Sequence, residues 1–425
     1  MRRYDSYKDS GQQWIGEIPS HWRLRKMKFS FTERTSKGFP NESLLSATQS
    51  HGVIPQSMYE NRTVQATKNL ETLKLVEKGD FVISLRSFQG GIEYAYYRGI
   101  ISPAYTILFP YAIDSGFFKH LGKSQVFIDL LQSTVTGIRE GQNIDYSKLK
   151  QTYLPIPPKE EQQAISHYID RIAADIDKAI TQQQRMIDLL NERRQIIIQQ
   201  AVTKGLNPNV KMKDSDVEWI GQVPEHWEVM KTSHIYSNIG SGTTPSSSNS
   251  MYYTEDTDGF YWLQTGDLND GQIWNTSKKV TKLAVKECKL KFYPVNSVVI
   301  AMYGATIGKV GLLKIETATN QACCVLPKSR KMKELFSFYL YQAAKQPMIL
   351  EAMGGGQPNI SQDIIKRLKV PVPPLSEQQQ IIDHIEKQIA CIDKAIAKQQ
   401  QTIDLLKERK QIVINDAVTG KIKVI

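Results

Sequence analysis

The chain has 425 residues and a formal net charge of +11 at pH 7, with 40% hydrophobic and 23% charged residues. This length and composition are typical of a globular protein with two to three domains, and the basic balance favours an acidic partner. Met1–Ser10 lacks an apolar core, and the best apolar stretch, Val298–Leu313, contains Lys309 and is too short to cross a bilayer. We therefore expect no signal peptide, no membrane span and a cytoplasmic protein.

A tryptophan-containing segment, Asp9–Trp22 (DSGQQWIGEIPSHW), precedes a variable stretch in the first part of the chain. Strands are predicted around Asp80–Leu85, Ile92–Tyr97 and Ala104–Phe109, with the polar loop Arg86–Gly91 between the first two. Glycine permits close backbone approach to a ligand, and polar side chains can reach phosphates or base edges. An ordinary glycine-containing hairpin would show the same pattern.

A long helix is predicted after the proline pair Pro157–Pro158, because proline stops the preceding chain from continuing as helix. Apolar residues then recur at alternating steps of three and four, as in a coiled-coil seam of about six heptads. At 1.5 Å per residue such a helix is roughly 65 Å long, and its apolar stripe needs a partner. The seam residues are Ile165, Ile169, Ile172, Ile176, Ala179, Ile187, Leu190, Ile197 and Ala201.

Both features recur in the second half of the chain. Asp214–Trp227 matches the first tryptophan segment at 8 of 14 positions, and residues 154–203 recur at 370–419 without a gap, at an offset of 216 residues. The stretches between these repeats look unlike each other. A repeated frame with different contents predicts two copies of one scaffold that carry two different specificities.

The second variable stretch repeats the rhythm of the first. Strands are predicted at Ser297–Met302, Lys309–Leu313 and Ala322–Leu326, and the loop Tyr303–Gly308 follows the first of them. A second long helix is predicted after Pro373–Pro374, with Ser376 and Gln379 as a candidate capping box. Its seam residues are Ile381, Ile385, Ile392, Ala395, Ile403, Leu406, Val413 and Ala417.

Two seam positions are polar in both helices, namely Gln183/Gln399 and Arg194/Lys410. Polar seam residues can fix the register and orientation of a coiled coil, although the coil could instead widen there so that these side chains reach water. An antiparallel pairing is favoured, because a pseudo-twofold axis would then place the two globular parts at opposite ends. The predicted segments are 1–153, 154–206, 207–369 and 370–425, in an α+β fold.

The positive charge is concentrated outside the helices. Residues 1–158 carry a net charge of +6 and residues 205–374 carry +4, whereas residues 159–204 carry 0 and residues 375–425 carry +1. If nucleic acid is the partner, the variable stretches bind it and the helices do not. A generally basic surface is the alternative interpretation.

No catalytic or metal-binding motif is found. The run GATIGKVG at Gly304–Gly311 meets neither the Walker nor the dinucleotide fingerprint, and no HExxH, GxSxG or paired-carboxylate motif occurs. The NPPY-type run expected of adenine methyltransferases is also missing. The four cysteines show no CxxC spacing, which predicts reduced thiols and no zinc site.

The chain resembles the specificity subunits of type I restriction-modification systems over nearly its whole length. The resemblance is carried by the two tryptophan segments, LLSATQSHGVIPQSMY (Leu44–Tyr59), the block from Ser241 to Leu268, GATIGKVG, GGGQPNIS (Gly354–Ser361) and the repeated PxPPxxEQQxI. The order and duplication of these motifs make the match specific.

The resemblance implies a non-catalytic subunit with two mixed α/β target-recognition domains, each reading one half of a split double-stranded DNA site. It implies that two long antiparallel coiled-coil helices set the unread spacer and dock two adenine-methylating modification subunits. Two restriction subunits could also join. No cofactor is expected on this chain; S-adenosylmethionine, ATP and Mg²⁺ are expected on the partner subunits.

Candidate DNA-contacting residues are polar, aromatic and basic residues of the two variable stretches. The paired tryptophans Trp14, Trp22, Trp219 and Trp227 are expected to pack the scaffold rather than stack on bases. The candidates are Arg86, Ser87, Gln89, Tyr105 and Arg139 in the first domain, and Thr243, Thr244, Tyr303, Thr306, Lys309, Asn320, Gln321, Gln357 and Asn359 in the second. The arginines and lysine could equally be solvated surface charges.

Two other function classes stay open at this point. One is a single-chain DNA-modifying enzyme, which would cut or methylate DNA without a partner. The other is a coiled-coil scaffold that binds only protein and would not retain DNA at low salt.

Overall fold

The structure, a computed structural model, describes residues 2–59, 69–84, 87–136, 143–352 and 359–424. The chain separates into two compact units: unit 1 contains Met1–Gln184 and Gln399–Ile425, and unit 2 contains Arg185–Lys398. These unit boundaries cut through both long helices, so each unit contains half of each helix. In the described part of the chain, no helix combines the length and apolarity needed to cross a membrane.

The first half of the chain is built from short strands and helices, followed by one long helix. Its strands are β1 (Tyr7–Asp9), β2 (Glu17–Pro19), β3 (Arg23–Lys26), β4 (Phe31–Glu33), β5 (Leu45–Thr48), β6 (Gly52–Pro55), β7 (Lys74–Val76), β8 (Phe81–Ile83), β9 (Glu93–Tyr94), β10 (Gly99–Ile101), β11 (Thr106–Pro110), β12 (Val135–Thr136), β13 (Asn143–Ile144) and β14 (Tyr153–Ile156). Its helices are α1 (Ser87–Gly90), α2 (Ser115–Leu121), α3 (Gln125–Ser133), α4 (Tyr146–Leu149) and α5 (Lys159–Lys204).

The second half follows the same plan. Its strands are β15 (Met212–Asp214), β16 (Gln222–Pro224), β17 (Glu228–Lys231), β18 (Gly240–Ser241), β19 (Tyr253–Thr254), β20 (Phe260–Leu263), β21 (Gly271–Ile273), β22 (Lys278–Val280), β23 (Phe292–Tyr293), β24 (Val298–Ala301), β25 (Val310–Leu313), β26 (Thr317–Thr319), β27 (Cys323–Leu326) and β28 (Lys369–Val372). Its helices are α6 (Thr232–Ile235), α7 (Lys282–Glu287), α8 (Glu334–Ala343), α9 (Lys345–Ala352), α10 (Gln362–Arg367) and α11 (Leu375–Val418).

The strand pairings show that the repeated sequence builds a repeated frame. In unit 1, β1 pairs with β2, and β3 pairs antiparallel with β14, so the chain enters and leaves the variable domain side by side. In unit 2, β15 pairs with β16 and β17 pairs antiparallel with β28 in the same way. The mixed helix and strand content confirms the α+β prediction.

The variable domains inside these frames have different sheets. In unit 1 the described residues form a four-stranded sheet in the order β4-β11-β8-β9 together with two-stranded pairs. In unit 2 they form two five-stranded sheets, in the orders β18-β27-β24-β25-β21 and β19-β22-β20-β26-β23. Buried strands such as β24 and β27 read as continuous apolar runs, because both of their faces are covered.

The two long helices begin where the sequence predicts, directly after the proline pairs. The Gln162 side chain donates to the Pro157 carbonyl, and the equivalent Gln378 donates to the Pro373 carbonyl, each at 2.8 Å. The predicted capping box is wrong: Ser376 lies inside the first turn, because α11 begins at Leu375, and Gln379 donates to Asp383.

Within each unit the two helix halves run antiparallel. The core of unit 1 contains Ile165 and Ile169 from the start of α5 together with Ala417 and Val418 from the end of α11. The core of unit 2 contains Ile198, Ala201 and Val202 from the end of α5 with Ile381 and Ile385 from the start of α11. Near the end of α5 the seam differs from the prediction, since Ile198 is buried and Ile197 is only half-buried.

The predicted strands of the variable stretches exist but are shorter. The loop predicted at Arg86–Gly91 is wrong in part, because Ser87–Gly90 forms the one-turn helix α1. The amide of Gly91 donates to the Ser87 carbonyl, which closes that turn and could not be read from hydrophobic periodicity. All four cysteines are free, and Cys323 and Cys324 are buried in β27.

Candidate nucleic-acid interface

In unit 2, two parallel strands end at the same edge of a sheet. β20 pairs with β26 in parallel, with Leu263 opposite Thr319, and the amide of Asn320 donates to the Leu263 carbonyl at 2.9 Å. The segments that follow these strands, Gln264–Thr265 and Asn320–Gln321, therefore lie side by side. Ligand sites form preferentially beyond the carboxyl ends of parallel strands, where loops can present side chains without breaking the sheet.

Gly242 brings a third segment to this edge. Its amide donates to the Asn320 carbonyl at 3.3 Å, and a Cβ atom at this position would lie 1.7 Å from the Thr319 carbonyl oxygen. Only glycine can approach the backbone this closely. Thr243 and Thr244 follow directly, and the Trp262 indole holds this segment by donating to the Thr243 carbonyl at 3.1 Å.

The Tyr303–Gly308 loop is the fourth segment. The Thr306 hydroxyl donates to the Thr265 carbonyl at 2.9 Å. Immediately before the loop, the amide of Met302 donates to the Ala322 carbonyl and its carbonyl accepts from the amide of Ile360, both at 2.8 Å. Asn359 is thereby drawn to the same edge. We call these joined segments (241–244, 264–265, 303–309, 320–321 and 359) the loop edge of unit 2.

The loop edge of unit 2 collects eight of the nine residues predicted for the second domain. The side chains of Thr243, Thr244, Tyr303, Gln321 and Asn359 are exposed, whereas those of Thr306, Lys309 and Asn320 are half-buried. The Asn320 side-chain oxygen accepts from the amide of Ala322 at 3.2 Å, so part of its hydrogen-bonding capacity holds the loop. The ninth residue, Gln357, lies outside the described residues.

Sequence reasoning missed two residues of this edge, Ser241 and Thr265, and a third residue, Gln362, that contacts it. Thr265 accepts the Thr306 hydroxyl through its carbonyl, and the Gln362 side chain donates to the Ser241 hydroxyl at 2.7 Å. Ser241 and Thr265 lie in sequence blocks that carried the family resemblance, so that signal was available. Gln362 stands in α10 and could be found only from the structure.

In unit 1, Tyr105 and Ser87 lie close to one edge of the four-stranded sheet. Tyr105 precedes β11, whose first residue Thr106 pairs with Ile83, the last residue of β8. The Ser87 side chain is buried and its hydroxyl accepts the amide of Ser84 at 2.9 Å, so it shapes the turn and does not face solvent. Tyr105 is half-buried against the core, and Gln89 is exposed.

Two arginines predicted for the first domain, Arg86 and Arg139, lie outside the described residues. The structure therefore places three of the five predicted residues of this domain. Of these, Gln89 presents an exposed polar side chain.

A buried ion pair ties together two loops of unit 1. The Lys123 ammonium donates to Glu93 Oε1 at 2.6 Å, to the Gly90 carbonyl at 2.8 Å and to the Gln49 carbonyl at 3.3 Å. It thus joins the end of α1 to the turn between β5 and β6. Burial raises the pKa of Glu93 to about 7, because desolvation outweighs the opposing effect of Lys123.

The predicted scaffold role of two tryptophans agrees with their burial. Trp22 and Trp227 are fully buried, and their indole N–H groups donate to Glu161 and Glu377 at 3.0 and 2.9 Å. These glutamates stand at equivalent positions of the repeated EQQ motif. Each tryptophan therefore fastens its own segment to the first turn of a long helix.

Comparison with known proteins agrees with this architecture. Residues 224–405 match the family described as the type I restriction modification DNA specificity domain. A candidate type I restriction enzyme MjaX specificity subunit of Methanocaldococcus jannaschii is 26% identical over 96% of this chain and 96% of its own length. The EcoBI specificity subunit of Escherichia coli is 24% identical over 64% of this chain and 59% of its own.

The chain is similar to type I restriction-modification specificity subunits over nearly its whole length, and residues 224–405 match the family model of their DNA specificity domain. The predicted role in DNA sequence recognition is thereby confirmed at the level of the family.

Solved specificity subunits share the fold. A chain from a structural study of the assembly and conformational transition of the type I restriction-modification system superposes with a TM-score of 0.70 at 15% identity, covering 95% of this chain and 99% of that one. The HsdS subunit of Thermoanaerobacter tengcongensis superposes with a TM-score of 0.52 at 15% identity, covering 95% and 98%.

Proposed function

We propose that each variable domain of this specificity subunit reads one half of a bipartite DNA target, and that the paired helices set the spacer between the halves. The helices also dock two modification subunits, and two restriction subunits can join that complex. The observation that carries the proposal is the repeated frame with unlike contents. Two domains that recognise the same DNA sequence would be expected to have the same structure. The two variable domains of this chain instead have different sheets on the same frame.

The two copies of the support share a tryptophan contact and a histidine contact with the same glutamate position. His21 and Trp22 contact Glu161 at 2.8 and 3.0 Å, and His226 and Trp227 contact Glu377 at 2.6 and 2.9 Å. Such matched contacts hold each variable domain in the same relation to its own helix end. A frame of this kind lets the domains differ in specificity without changing how they are mounted.

The loop edge of unit 2 presents side chains that can form hydrogen bonds with DNA bases. Amide side chains can form paired hydrogen bonds with adenine, and hydroxyl groups can contact either bases or phosphates. Gln321 and Asn359 are exposed amides, and Thr243 and Thr244 are exposed hydroxyls on the same edge. The half-buried Lys309 can contribute a phosphate contact, which positions the domain without reading sequence.

The catalytic reactions are assigned to the partner subunits. Methylation of adenine requires a flipped base and a pocket that holds its amine. The sequence lacks the NPPY-type run that would build this pocket, so we place S-adenosylmethionine on the modification subunits. ATP and Mg²⁺ would be bound by restriction subunits.

The test is selection of DNA by the reconstituted complex. The chain is assembled with its modification subunits and offered duplexes with two randomised blocks separated by spacers of different lengths. We expect enrichment of two unrelated short sequences at one spacer length, and a salt-dependent affinity. Scrambling one block should weaken binding without changing the preference at the other. Enrichment of a single continuous sequence, or of none, would contradict the proposal.

A further inference from the structure

Glu161 in unit 1 is surrounded by three hydrogen-bonding groups. Trp22 Nε1 donates to Oε1 at 3.0 Å, His21 Nε2 pairs with Oε2 at 2.8 Å, and the Tyr4 hydroxyl donates to Oε1. The Glu161 side chain is only 4% exposed. A carboxylate has about four acceptor positions, so this arrangement satisfies most of a charge that is costly to bury.

Glu377, the equivalent residue in unit 2, has two such groups among the described residues. Trp227 Nε1 donates to Oε2 at 2.9 Å, and His226 Nε2 pairs with Oε1 at 2.6 Å. Its side chain is 35% exposed. The two copies therefore share the tryptophan and histidine contacts and differ in the phenol contact.

The difference has a direct cause in the sequence. The strand pairs β1-β2 and β15-β16 align the two segments at an offset of 205 residues, and the Ser20–Ser6 backbone bond of unit 1 recurs as Glu225–Lys211 in unit 2. This offset places Asn209 where unit 1 has Tyr4. An asparagine side chain is too short to fill the volume of a phenol ring.

A cleft lies beside Glu377. Its volume is about 490 Å³, whereas the cleft that Tyr4 lines beside Glu161 has about 200 Å³. Sites for small organic groups range from about 300 to 1,000 Å³, so of these two equivalent clefts the one beside Glu377 reaches that size. Its apolar wall consists of Leu206, Pro208, Val210, Pro224 and Ile381.

We propose that the cleft beside Glu377 binds a tyrosine side chain of a modification subunit, with the tyrosine hydroxyl donating to the Glu377 carboxylate. The choice of partner rests on the proposed function, in which the long helices dock these subunits. A carboxylate only accepts hydrogen bonds, so its complement must be a donor. The apolar wall favours a ring, and Tyr4 shows that a phenol satisfies the same glutamate in the other copy. This inference concerns assembly and does not depend on which DNA bases are read.

The experiment uses the full chain and p-cresol as a probe of the tyrosine side chain. The indole N–H resonance of Trp227 reports on Glu377, because this group donates to its carboxylate; the peak is identified by its loss in Trp227→Phe. We expect a saturable shift of this resonance with p-cresol and a far weaker one with toluene, which lacks the hydroxyl. Glu377→Gln should weaken p-cresol binding by about tenfold, the effect of losing one charge-assisted hydrogen bond.

Unit 1 supplies the matched control. In the wild-type chain the Trp22 resonance should not respond to p-cresol, because Tyr4 occupies that position. Tyr4→Ala should make Trp22 responsive while leaving Trp227 unchanged. If the Trp227 resonance of the wild-type chain does not shift with p-cresol, the proposal is overturned, whether or not the Trp22 resonance shifts in Tyr4→Ala. A stronger response of Trp227 to n-butylamine than to p-cresol would also overturn it, in favour of a cationic side chain.

The origin of the tyrosine is tested in the assembled complex. Once the modification subunits are bound, the Trp227 resonance should no longer respond to p-cresol, because the partner side chain competes for the cleft. A response that persists in the complex overturns the assignment to that partner. DNA selection by the same complex is measured separately, so failure of the cleft proposal and failure of the DNA-reading proposal give different results.

Discussion

Lys410 of α11 donates to both carboxylate oxygens of Asp177 in α5, at 2.8 and 2.7 Å. The equivalent residues in unit 2, Arg194 and Asp393, form the same ion pair with the roles of the helices exchanged. Each basic side chain is about one-quarter exposed and each aspartate is more than half exposed. The Arg194 and Lys410 side chains therefore reach towards water and also bind across the helix pair. At these two seam positions, both alternatives that the sequence left open apply.

We expect the Lys410–Asp177 pair to contribute modestly to stability and more clearly to register. Asp177→Lys places two like charges together and should lower the free energy of unfolding by about 1 kcal/mol, which is near the upper range for exposed pairs. Combining it with Lys410→Asp should restore most of this loss. A double-mutant cycle from urea unfolding measures the coupling, with Lys407→Asp at an exposed position of α11 as the control. If the effects of Asp177→Lys and Lys410→Asp simply add in the double variant, the pair has no role.

The long helices could be predicted from the sequence because their signals are local. Proline pairs mark their beginnings, and heptad spacing identifies most of the buried residues. The partners of the polar seam residues could not be predicted, because periodicity shows which face is buried and does not give the offset between two helices. The role of Glu161 and Glu377 was missed for a similar reason: each accepts a tryptophan that lies about 140 to 150 residues away in the chain.

The loop edge of unit 2 could be predicted only in part from the sequence. Its polar loop residues were found from composition and glycine placement, yet their convergence depends on the parallel pairing of β20 with β26, which lie more than fifty residues apart. Thr265 and Gln362 enter the edge only through that pairing and through contacts with Thr306 and Ser241. In unit 1, the buried Ser87 was predicted from residue type, which does not indicate the direction of a side chain.

Glu93 should make the stability of the chain depend on pH. Its pKa is raised from 4.5 to about 7, so the folded chain binds this proton more tightly than the unfolded chain. The resulting contribution is fully present below about pH 4.5 and is lost as the pH rises through 7. As the pH rises from 5 to 8, the free energy of unfolding of Glu93→Gln should therefore increase by about 2 kcal/mol relative to that of the wild-type chain.

Denaturant unfolding at both pH values measures this difference. Glu71→Gln is the matched control, because Glu71 is exposed in the same unit. Parallel pH profiles for the wild-type chain and Glu93→Gln would contradict the raised pKa of Glu93.

Substitutions at the loop edge of unit 2 should affect one half of the DNA target. Tyr303 and Gln321 are exposed on converging segments, so Tyr303→Ala or Gln321→Ala should weaken binding by about tenfold, within the range for one lost base contact. The preference at the other half-site should not change. The measurement is competition between duplexes altered in one half-site at a time, using the reconstituted complex.

The control for this prediction is Phe260→Ala. Phe260 is an exposed aromatic residue at the start of β20, and the loop edge follows the end of the same strand. A loss as large as that of Tyr303→Ala would mean that the loop edge is not the contacting surface. A loss at both half-sites would mean that the substitutions act on assembly.

The helices offer the strongest test of how the two half-sites are kept apart. α5 and α11 are continuous over 46 and 44 residues, so seven residues inserted after Gln184 and after Gln400 lengthen both at equivalent positions of the repeat. A heptad preserves the apolar seam and adds about 10 Å of helix, which corresponds to roughly three base pairs of duplex at 3.4 Å each. We expect the preferred spacer to lengthen by about that amount. Since the loop edge of unit 2 is built from strands and loops outside the helices, the two half-site sequences should stay the same.

The insertion experiment has an internal control in the length of the insert. Adding a single residue to each helix rotates every following side chain by about 100°, so the seam residues no longer face one another and assembly should fail. Selection from duplexes with randomised half-sites and variable spacers distinguishes the outcomes. A heptad insertion that changed the half-site sequences would show that the helices help to shape the reading surfaces. A spacer that did not change would show that the helices do not set the distance, because nothing else differs between the two chains.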